Sequence, residues 1–169
     1  DTGGWFYRGC PTSQFAKPEL LGGIYRIRRD GMAVQADPRG QQIAWASETP
    51  QMLVNRFADS RYAVQQIAVT QVVARGAEAI PVLRLAVDHA SPSVRRHAIL
   101  ALGRLSQNPM LASAAVSALM PALDDSLPGL RQLACRSLGF SKCHVDVAGL
   151  FPLLNDSDPH VRRQAQTTL

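Results

Sequence analysis

The stretch Asp156-Ser-Asp-Pro159-His-Val161-Arg-Arg-Gln-Ala165 decides the fold, because related stretches begin at Asp59, His89 and Asp125. The aliphatic residue of each stretch stands at position 64, 94, 130 or 161, which gives spacings of 30, 36 and 31 residues. An alanine follows four residues later in all four, and another aliphatic residue follows four after that. This spacing is one face of a helix. Such a recurring unit predicts a stack of similar helical pairs.

A second apolar helix is predicted before each of the last three stretches. These segments read Ala79-Ile-Pro81-Val-Leu83, Leu119-Met-Pro121-Ala-Leu123 and Leu150-Phe-Pro152-Leu-Leu154. The unit is therefore helix–turn–helix, and it resembles the short HEAT repeat, also called the bilin-lyase HEAT-like repeat. The resemblance implies a mainly α fold, an α–α superhelix over residues 51–169 with about four helix pairs, the last of them incomplete. Second helices line the concave face of such a solenoid.

The turn and the start of each second helix follow a recognisable chemistry. Pro92, Pro128 and Pro159 fit the first helical position, and Ser91 and Asp158 are predicted N-caps. In HEAT repeats, a turn Asp and an Arg six residues later form a charge ladder between neighbouring units. The matching residues here are Asp125, Arg131, Asp156 and Arg162, whereas the units that begin at Asp59 and His89 each lack one member. We expect these charges to be structural.

The remaining polar residues of the second helices are the candidate partner-binding surface. They are Arg96, Gln132, Arg136, Arg163 and Gln166. The alternative interpretation is an ordinary solvated helix face. The chain carries 18 Lys and Arg against 13 Asp and Glu, a net charge of +5. Nucleic-acid binding through a basic concave face is a further alternative, which is disfavoured because ladder residues contribute much of that charge.

The first 50 residues have a different character. Alternating residues around Ile24–Ile27 predict a strand, and Thr2–Arg8 predicts another, so a short β segment over residues 1–31 precedes a linker over 32–50. Three sequence motifs of this segment resemble the closing blade of a β-propeller family. They are Asp1-Thr-Gly-Gly-Trp5, Cys10-Pro-Thr-Ser-Gln14 and Gly23-Ile-Tyr-Arg-Ile-Arg28. The family is that of the bacterial membrane-bound dehydrogenase-like propellers of the sorbosone and glucose dehydrogenase type, which HEAT-like repeats follow.

The propeller resemblance implies a larger context. It implies that the chain is a fragment of an exported or periplasmic protein with further domains on both sides. That parent is expected to be a quinone-dependent sugar or aldose dehydrogenase using pyrroloquinoline quinone and haem c. Trp5 and Arg8 are then candidates for lining its cofactor site, against simple packing within the blade. The upstream propeller would be one possible partner of the repeats.

No catalytic or metal-binding constellation is apparent in the sequence, and no cofactor is expected in this chain. Cys143-His144 lacks the earlier cysteine that haem attachment needs, because Phe140 stands at that position. Cys135, next to the core position Ala134, is expected to be buried, and Cys10 has no assigned role. No apolar run reaches the ~18 residues of a membrane span. We therefore expect a non-catalytic scaffold or protein-interaction module of a larger dehydrogenase-like protein, with a dehydrogenase part as the alternative.

Overall fold

The computed structural model describes residues 23–24, 31, 35–143, 145 and 147–169. The chain divides into two compact units, Asp1–Gln35 and Ala36–Leu169. The β segment predicted over residues 1–31 lies outside the described residues, except for Gly23, Ile24 and Gly31, and it stays a prediction. Residues 36–50, predicted as part of a linker, belong to the same compact unit as the helices that follow.

The described part of the second unit is mainly helical. Seven α-helices are found among its described residues: α1 (Pro50–Asn55), α2 (Tyr62–Ala74), α3 (Ile80–Ala86), α4 (Pro92–Leu105), α5 (Ala112–Leu119), α6 (Pro128–Gly139) and α7 (Pro159–Thr168). Five 3₁₀ helices join or extend them: Trp45–Ser47, Arg56–Ala58, Gly76–Ala79, Met120–Asp124 and Val147–Asn155. The last of these replaces the α-helix expected around Leu150–Leu154. Pro152 lies inside it, and a proline there cannot donate an α-helical hydrogen bond.

The helices form two layers, and each layer stacks along the chain. The second helices α2, α4, α6 and α7 contact one another in that order, and α1, α3 and α5 do so in the other layer. The recurring alanines lie in the core of the stack, since Ala68, Ala98, Ala134 and Ala165 are all fully buried. Small residues also allow α4 to approach α6, because a Cβ added to Gly103 would lie 2.8 Å from the Cβ of Ser137.

Both predicted N-cap residues, Ser91 and Asp158, occupy the N-cap position of their helices, and one of them makes capping hydrogen bonds. The Asp158 carboxylate accepts hydrogen bonds from the backbone N–H of His160 at 2.8 Å and of Val161 at 3.2 Å. Ser91 occupies the N-cap position of α4 as predicted, but its hydroxyl makes no capping hydrogen bond. Pro92 has its ring-restricted backbone at the first helical position and has no N–H to satisfy, which leaves the start of α4 stable without that cap.

Residues 36–49 pack against the first helices of the stack. The indole N–H of Trp45 donates to the Gly40 carbonyl at 2.9 Å. Gly40 has a φ of +67°, and an added Cβ would lie 2.8 Å from Val64, so only glycine fits this contact. The buried Glu48 pairs with Arg56 through its side chain. This N-terminal end is therefore covered by the chain itself.

Candidate functional site

A groove between α4 and α6 brings together three of the residues proposed to bind a partner. Arg96, Gln132 and Arg136 line a cavity of about 570 Å³, together with a largely apolar wall of Leu127, Pro128, Gly129, Leu130 and Leu133. Arg96 and Arg136 are exposed, and Gln132 is half-buried. The guanidinium groups of Arg96 and Arg136 are therefore available to a ligand, while the apolar wall of the cavity offers nonpolar contact.

The groove continues along the same two helices. A second cavity of about 330 Å³ shares Leu133 and Arg136 with the first, and it adds Leu100, Gly103, Arg104, Gln107, Ser137 and Phe140. We call the two cavities together the α4–α6 groove. The Arg136 guanidinium carbon lies 6.0 Å from the centroid of the Phe140 ring, within the range of a cation–π contact. Among the residues that the structure describes, no acidic residue lines either cavity.

The helical period explains why these arginines face the groove. Arg96 follows the ladder residue Arg95 by one position, which turns its side chain by about 100° around the helix. Arg96, Leu100 and Arg104 stand four residues apart and so lie along one side of α4. Sequence reasoning missed Arg104, Leu127 and Phe140 as groove residues. The four-residue spacing was a signal for Arg104, whereas the exposure of Leu127 and Phe140 depends on how α4 and α6 stack.

The other proposed site residues lie elsewhere. Arg163 and Gln166 are exposed on α7, and neither lines the α4–α6 groove. Trp5 and Arg8 lie outside the described residues, so the proposed cofactor site around them is not placed.

The ladder charges join consecutive repeats. Arg95 donates to Asp125 from Nε at 2.7 Å and from Nη2 at 3.1 Å. Arg131 donates in the same way to Asp156, at 2.7 and 2.8 Å. The hydrogen bonds from Arg131 hold the pKa of the Asp156 carboxyl below its usual range. Arg95 and Arg131 thus each pair with the aspartate of the following repeat, although the repeat of Arg95 itself has His89 in place of that aspartate.

The backbone fixes these arginines as well. Nη1 of Arg131 donates to the Asp125 carbonyl at 2.8 Å, and Nη1 of Arg95 donates to the His89 carbonyl at 3.0 Å. Arg162 makes the equivalent bond to the Asp156 carbonyl at 2.7 Å, yet no carboxylate contacts it among the residues the structure describes. In the first repeat, Asp59 pairs instead with Arg61 of the same turn, which lowers the pKa of Asp59 to about 2.

Two buried titratable groups lie in the core and not in the groove lining. His97 is buried beneath Phe57, with ring centroids 5.5 Å apart, and its Nδ1 lies 2.7 Å from the Ser93 carbonyl oxygen. That oxygen only accepts, so Nδ1 carries the hydrogen. Burial lowers the pKa of His97 and raises the pKa of the Cys135 thiol to about 11. Both groups are neutral packing elements near pH 7.

The described residues offer no other evident chemistry. No three His, Cys, Asp or Glu side chains among them converge in a way that could hold a metal ion. Within the same residues, no helix is long and apolar enough to cross a membrane. The α4–α6 groove is therefore the candidate functional site.

Comparison with known proteins agrees with the stacked architecture. Residues 50–139, more than half of the chain, match the family model for HEAT repeats. The chain belongs to the HEAT-repeat family. This match covers α1 to α6, including both helices of the α4–α6 groove. No curated protein matches the sequence significantly.

Two solved structures share the fold of the HEAT-repeat region. One is the complex of CpcE and CpcF of phycocyanin lyase from Nostoc sp. PCC7120, at 21% identity and a TM-score of 0.57, covering 70% of this chain and 75% of that chain. The other is an engineered protein from the Northeast Structural Genomics Consortium, at 19% identity and a TM-score of 0.51. It covers 70% of this chain and 60% of that one. At these identities the likeness concerns the fold alone.

Proposed function

We propose that this chain is a non-catalytic protein-interaction module that binds an acidic, amphipathic segment of a partner protein in the α4–α6 groove. The observation that carries the proposal is the lining of the groove. Arg96, Arg104 and Arg136 stand over a wall rich in leucine, and no carboxylate of the described part of the chain lines it. A ligand with carboxylates on one face and aliphatic side chains on the other complements both properties.

The contact types in the groove are those that protein interfaces favour. Arginine and aromatic residues are enriched in interfaces, and the largest losses on truncation come from such residues in desolvated positions. Leu127 is 41% exposed and Phe140 is 59% exposed, so both have apolar surface left to bury. An amphipathic helix laid into an apolar groove is a common mode of peptide recognition. The arginines would add charge steering and orientation.

The direct test is a fluorescence-anisotropy titration with a labelled amphipathic peptide of Glu and Leu. The full chain is compared with the double variant Arg96→Glu/Arg136→Glu. Arg84→Glu is the matched control, because Arg84 is exposed on α3 and lines none of the groove. We expect the double variant to bind at least about tenfold more weakly, about 1.4 kcal/mol, and the control to bind like the parent. Equal affinity for all three proteins would refute the proposal.

A nucleic-acid ligand is the competing interpretation of the same arginines. Phe140 is the one aromatic side chain that lines the described groove, whereas single-stranded nucleic acid usually stacks on several. A labelled oligonucleotide, titrated at two salt concentrations, separates the two. Tighter binding of the oligonucleotide than of the peptide, with a steep salt dependence, would favour nucleic acid.

We also propose the larger context that residues 1–45 suggest by their resemblance to the closing propeller blade. In that context the module belongs to an exported, quinone-dependent dehydrogenase-like protein that uses pyrroloquinoline quinone and haem c. The partner segment could then come from the propeller. A coding sequence with a propeller upstream and Cys-x-x-Cys-His downstream would support this context. A coding sequence lacking both would refute it and leave the groove proposal unchanged.

A further inference from the structure

The arginines of the α4–α6 groove stand on both of its rims. Arg96 and Arg104 belong to α4, and Arg136 belongs to α6. All three side chains are exposed, and no carboxylate among the described residues forms an ion pair with any of them. Each rim therefore offers positive charge to a ligand that lies along the groove.

The floor of the groove between the two rims is apolar or small. A Cβ added to Gly103 of α4 would lie 2.8 Å from the Cβ of Ser137, so Ser137 faces α4. Leu133 precedes Ser137 by one helical turn, faces the same way and lines both cavities. At the other end of α6, a Cβ added to Gly129 would meet nothing within 4 Å. The floor thus leaves room for the side chains of a ligand.

This cross-section determines which conformation of a ligand fits. A complementary ligand has apolar side chains in the middle and carboxylates on both flanks. A helix can meet this requirement, because the e and g positions of a heptad lie on either side of the apolar a and d positions. An extended strand cannot, because its successive side chains point to two opposite faces. A strand with its aliphatic residues in the groove would direct its carboxylates away from the arginines.

The spacing of the arginines agrees with a helical ligand. Arg96 and Arg104 are eight residues apart on α4, which is about 12 Å along the helix axis. Equivalent positions on one flank of a ligand helix recur every seven residues, or about 10.5 Å. Two successive acidic residues of one flank can therefore reach both arginines of the α4 rim, while the other flank faces Arg136.

We infer that the occupant of the groove is a partner helix whose apolar seam is flanked by acidic residues on both sides, one flank facing α4 and the other facing α6. The inference rests on the proposed function and adds the conformation and the charge pattern of the ligand. Charge complementarity selects this occupant, because both rims are basic and the floor between them carries no charge.

The test compares labelled peptides of one composition, made of Leu, Glu and Gln, by fluorescence anisotropy. The seam peptide has about three heptads with Leu at a and d and Glu at e and g. A displaced peptide keeps Leu at a and d but has Glu at b and c, on the side that faces away from the groove. An alternating peptide places Leu at every second position, which is the period of a strand.

We expect the seam peptide to bind at least about tenfold more tightly than the other two, because only this peptide brings carboxylates to both rims. Far-UV circular dichroism of the mixture should show a gain of helix on binding. If the displaced or the alternating peptide binds as tightly as the seam peptide, and Arg96→Glu/Arg136→Glu still weakens that binding, the inference is overturned and the proposed function stands. If no peptide binds, both are overturned.

Single charge reversals test whether both rims contribute. Arg104→Glu changes the α4 rim, Arg136→Glu changes the α6 rim, and Arg84→Glu on α3 is the control that lines neither cavity. We expect each rim variant to weaken the seam peptide by at least about fivefold and the displaced peptide much less, while the control binds like the parent. Arg104→Gln and Arg136→Gln should give smaller losses in the same sense, and circular dichroism checks the helix content of every variant. A loss that is confined to one rim would contradict a helix with two acidic flanks.

Discussion

Replacing Arg131 with alanine tests the role of the charge ladder. The change removes two hydrogen bonds to Asp156 and one to the Asp125 carbonyl. The Asp156 carboxylate, whose side chain is only 5% exposed, then keeps the backbone N–H of Asp158 as a partner at 2.8 Å. Because little solvent reaches this carboxylate, water does not fully replace its two hydrogen bonds from Arg131.

The expected cost lies between two limits. Breaking a fully buried ion pair costs about 3–5 kcal/mol, and an exposed pair contributes at most about 1 kcal/mol. The Arg131 side chain is 14% exposed, so we expect a loss of about 2–3 kcal/mol. For a chain of this length that loss lowers the melting temperature by roughly 4–12 °C. Urea unfolding and thermal melting, followed by circular dichroism, measure both quantities.

The control is Arg162→Ala, because Arg162 makes the same backbone contacts but no carboxylate bond among the described residues. It should cost less than about 1 kcal/mol. The difference in the free energy of unfolding between the parent and Arg131→Ala should also become smaller in acid. The folded-state pKa of Asp156 is lowered from 3.8, so its contribution is present above that value and is lost as the pH falls below it. Equal losses for Arg131→Ala and Arg162→Ala would refute a ladder that stabilises the stack.

Three further predictions concern the core. The free energy of unfolding should fall as the pH drops below 6.5, because burial lowers the folded-state pKa of His97 and the unfolded chain takes up the proton first. The urea midpoint of His97→Gln should lack this dependence on pH. An unchanged dependence would contradict the role of His97. In a Cys10→Ser background, a thiol reagent should modify the half-exposed Cys143 quickly and Cys135 only on unfolding. Rapid modification of both thiols in the folded protein would contradict the packing of α6. Gly103→Ala should destabilise the chain by about 1–3 kcal/mol, because the added methyl group would clash with Ser137. The control Gly129→Ala, whose added methyl group meets nothing within 4 Å, should be neutral or stabilising. Equal melting temperatures for the two variants would contradict the close approach of α4 and α6.

The buried face of each second helix could be predicted from the sequence, because it depends on the local spacing of apolar residues. The positions of Val94, Leu130 and Val161 fix the buried face of each second helix, and the structure buries all three. The residues of the ladder were also recognisable, since the turn motif contains them. The pairing of Arg95 with Asp125 was not, because it joins two repeats and depends on how they stack.

Other features were not predicted. The segment Val147–Asn155 is a 3₁₀ helix with Pro152 inside it, and the hydroxyl of Ser91 makes no capping hydrogen bond. Within the candidate site, Arg96 and Arg136 were predicted from their place outside the ladder. Leu127 and Phe140 were not, because their exposure is set by the relative position of α4 and α6. The propeller resemblance of residues 1–45 stays a prediction.

The measurement that tests the central claim most directly is hydrogen–deuterium exchange of the full chain with and without the saturating Glu and Leu peptide. The account predicts slower exchange at the ends of α4 and α6 that line the groove, around Leu127–Gly129 and Arg104–Gln107. The exposed end of α3 around Arg84 should exchange at an unchanged rate. Protection centred on α3 or α7, or no protection at a concentration that saturates anisotropy, would contradict a partner site between α4 and α6.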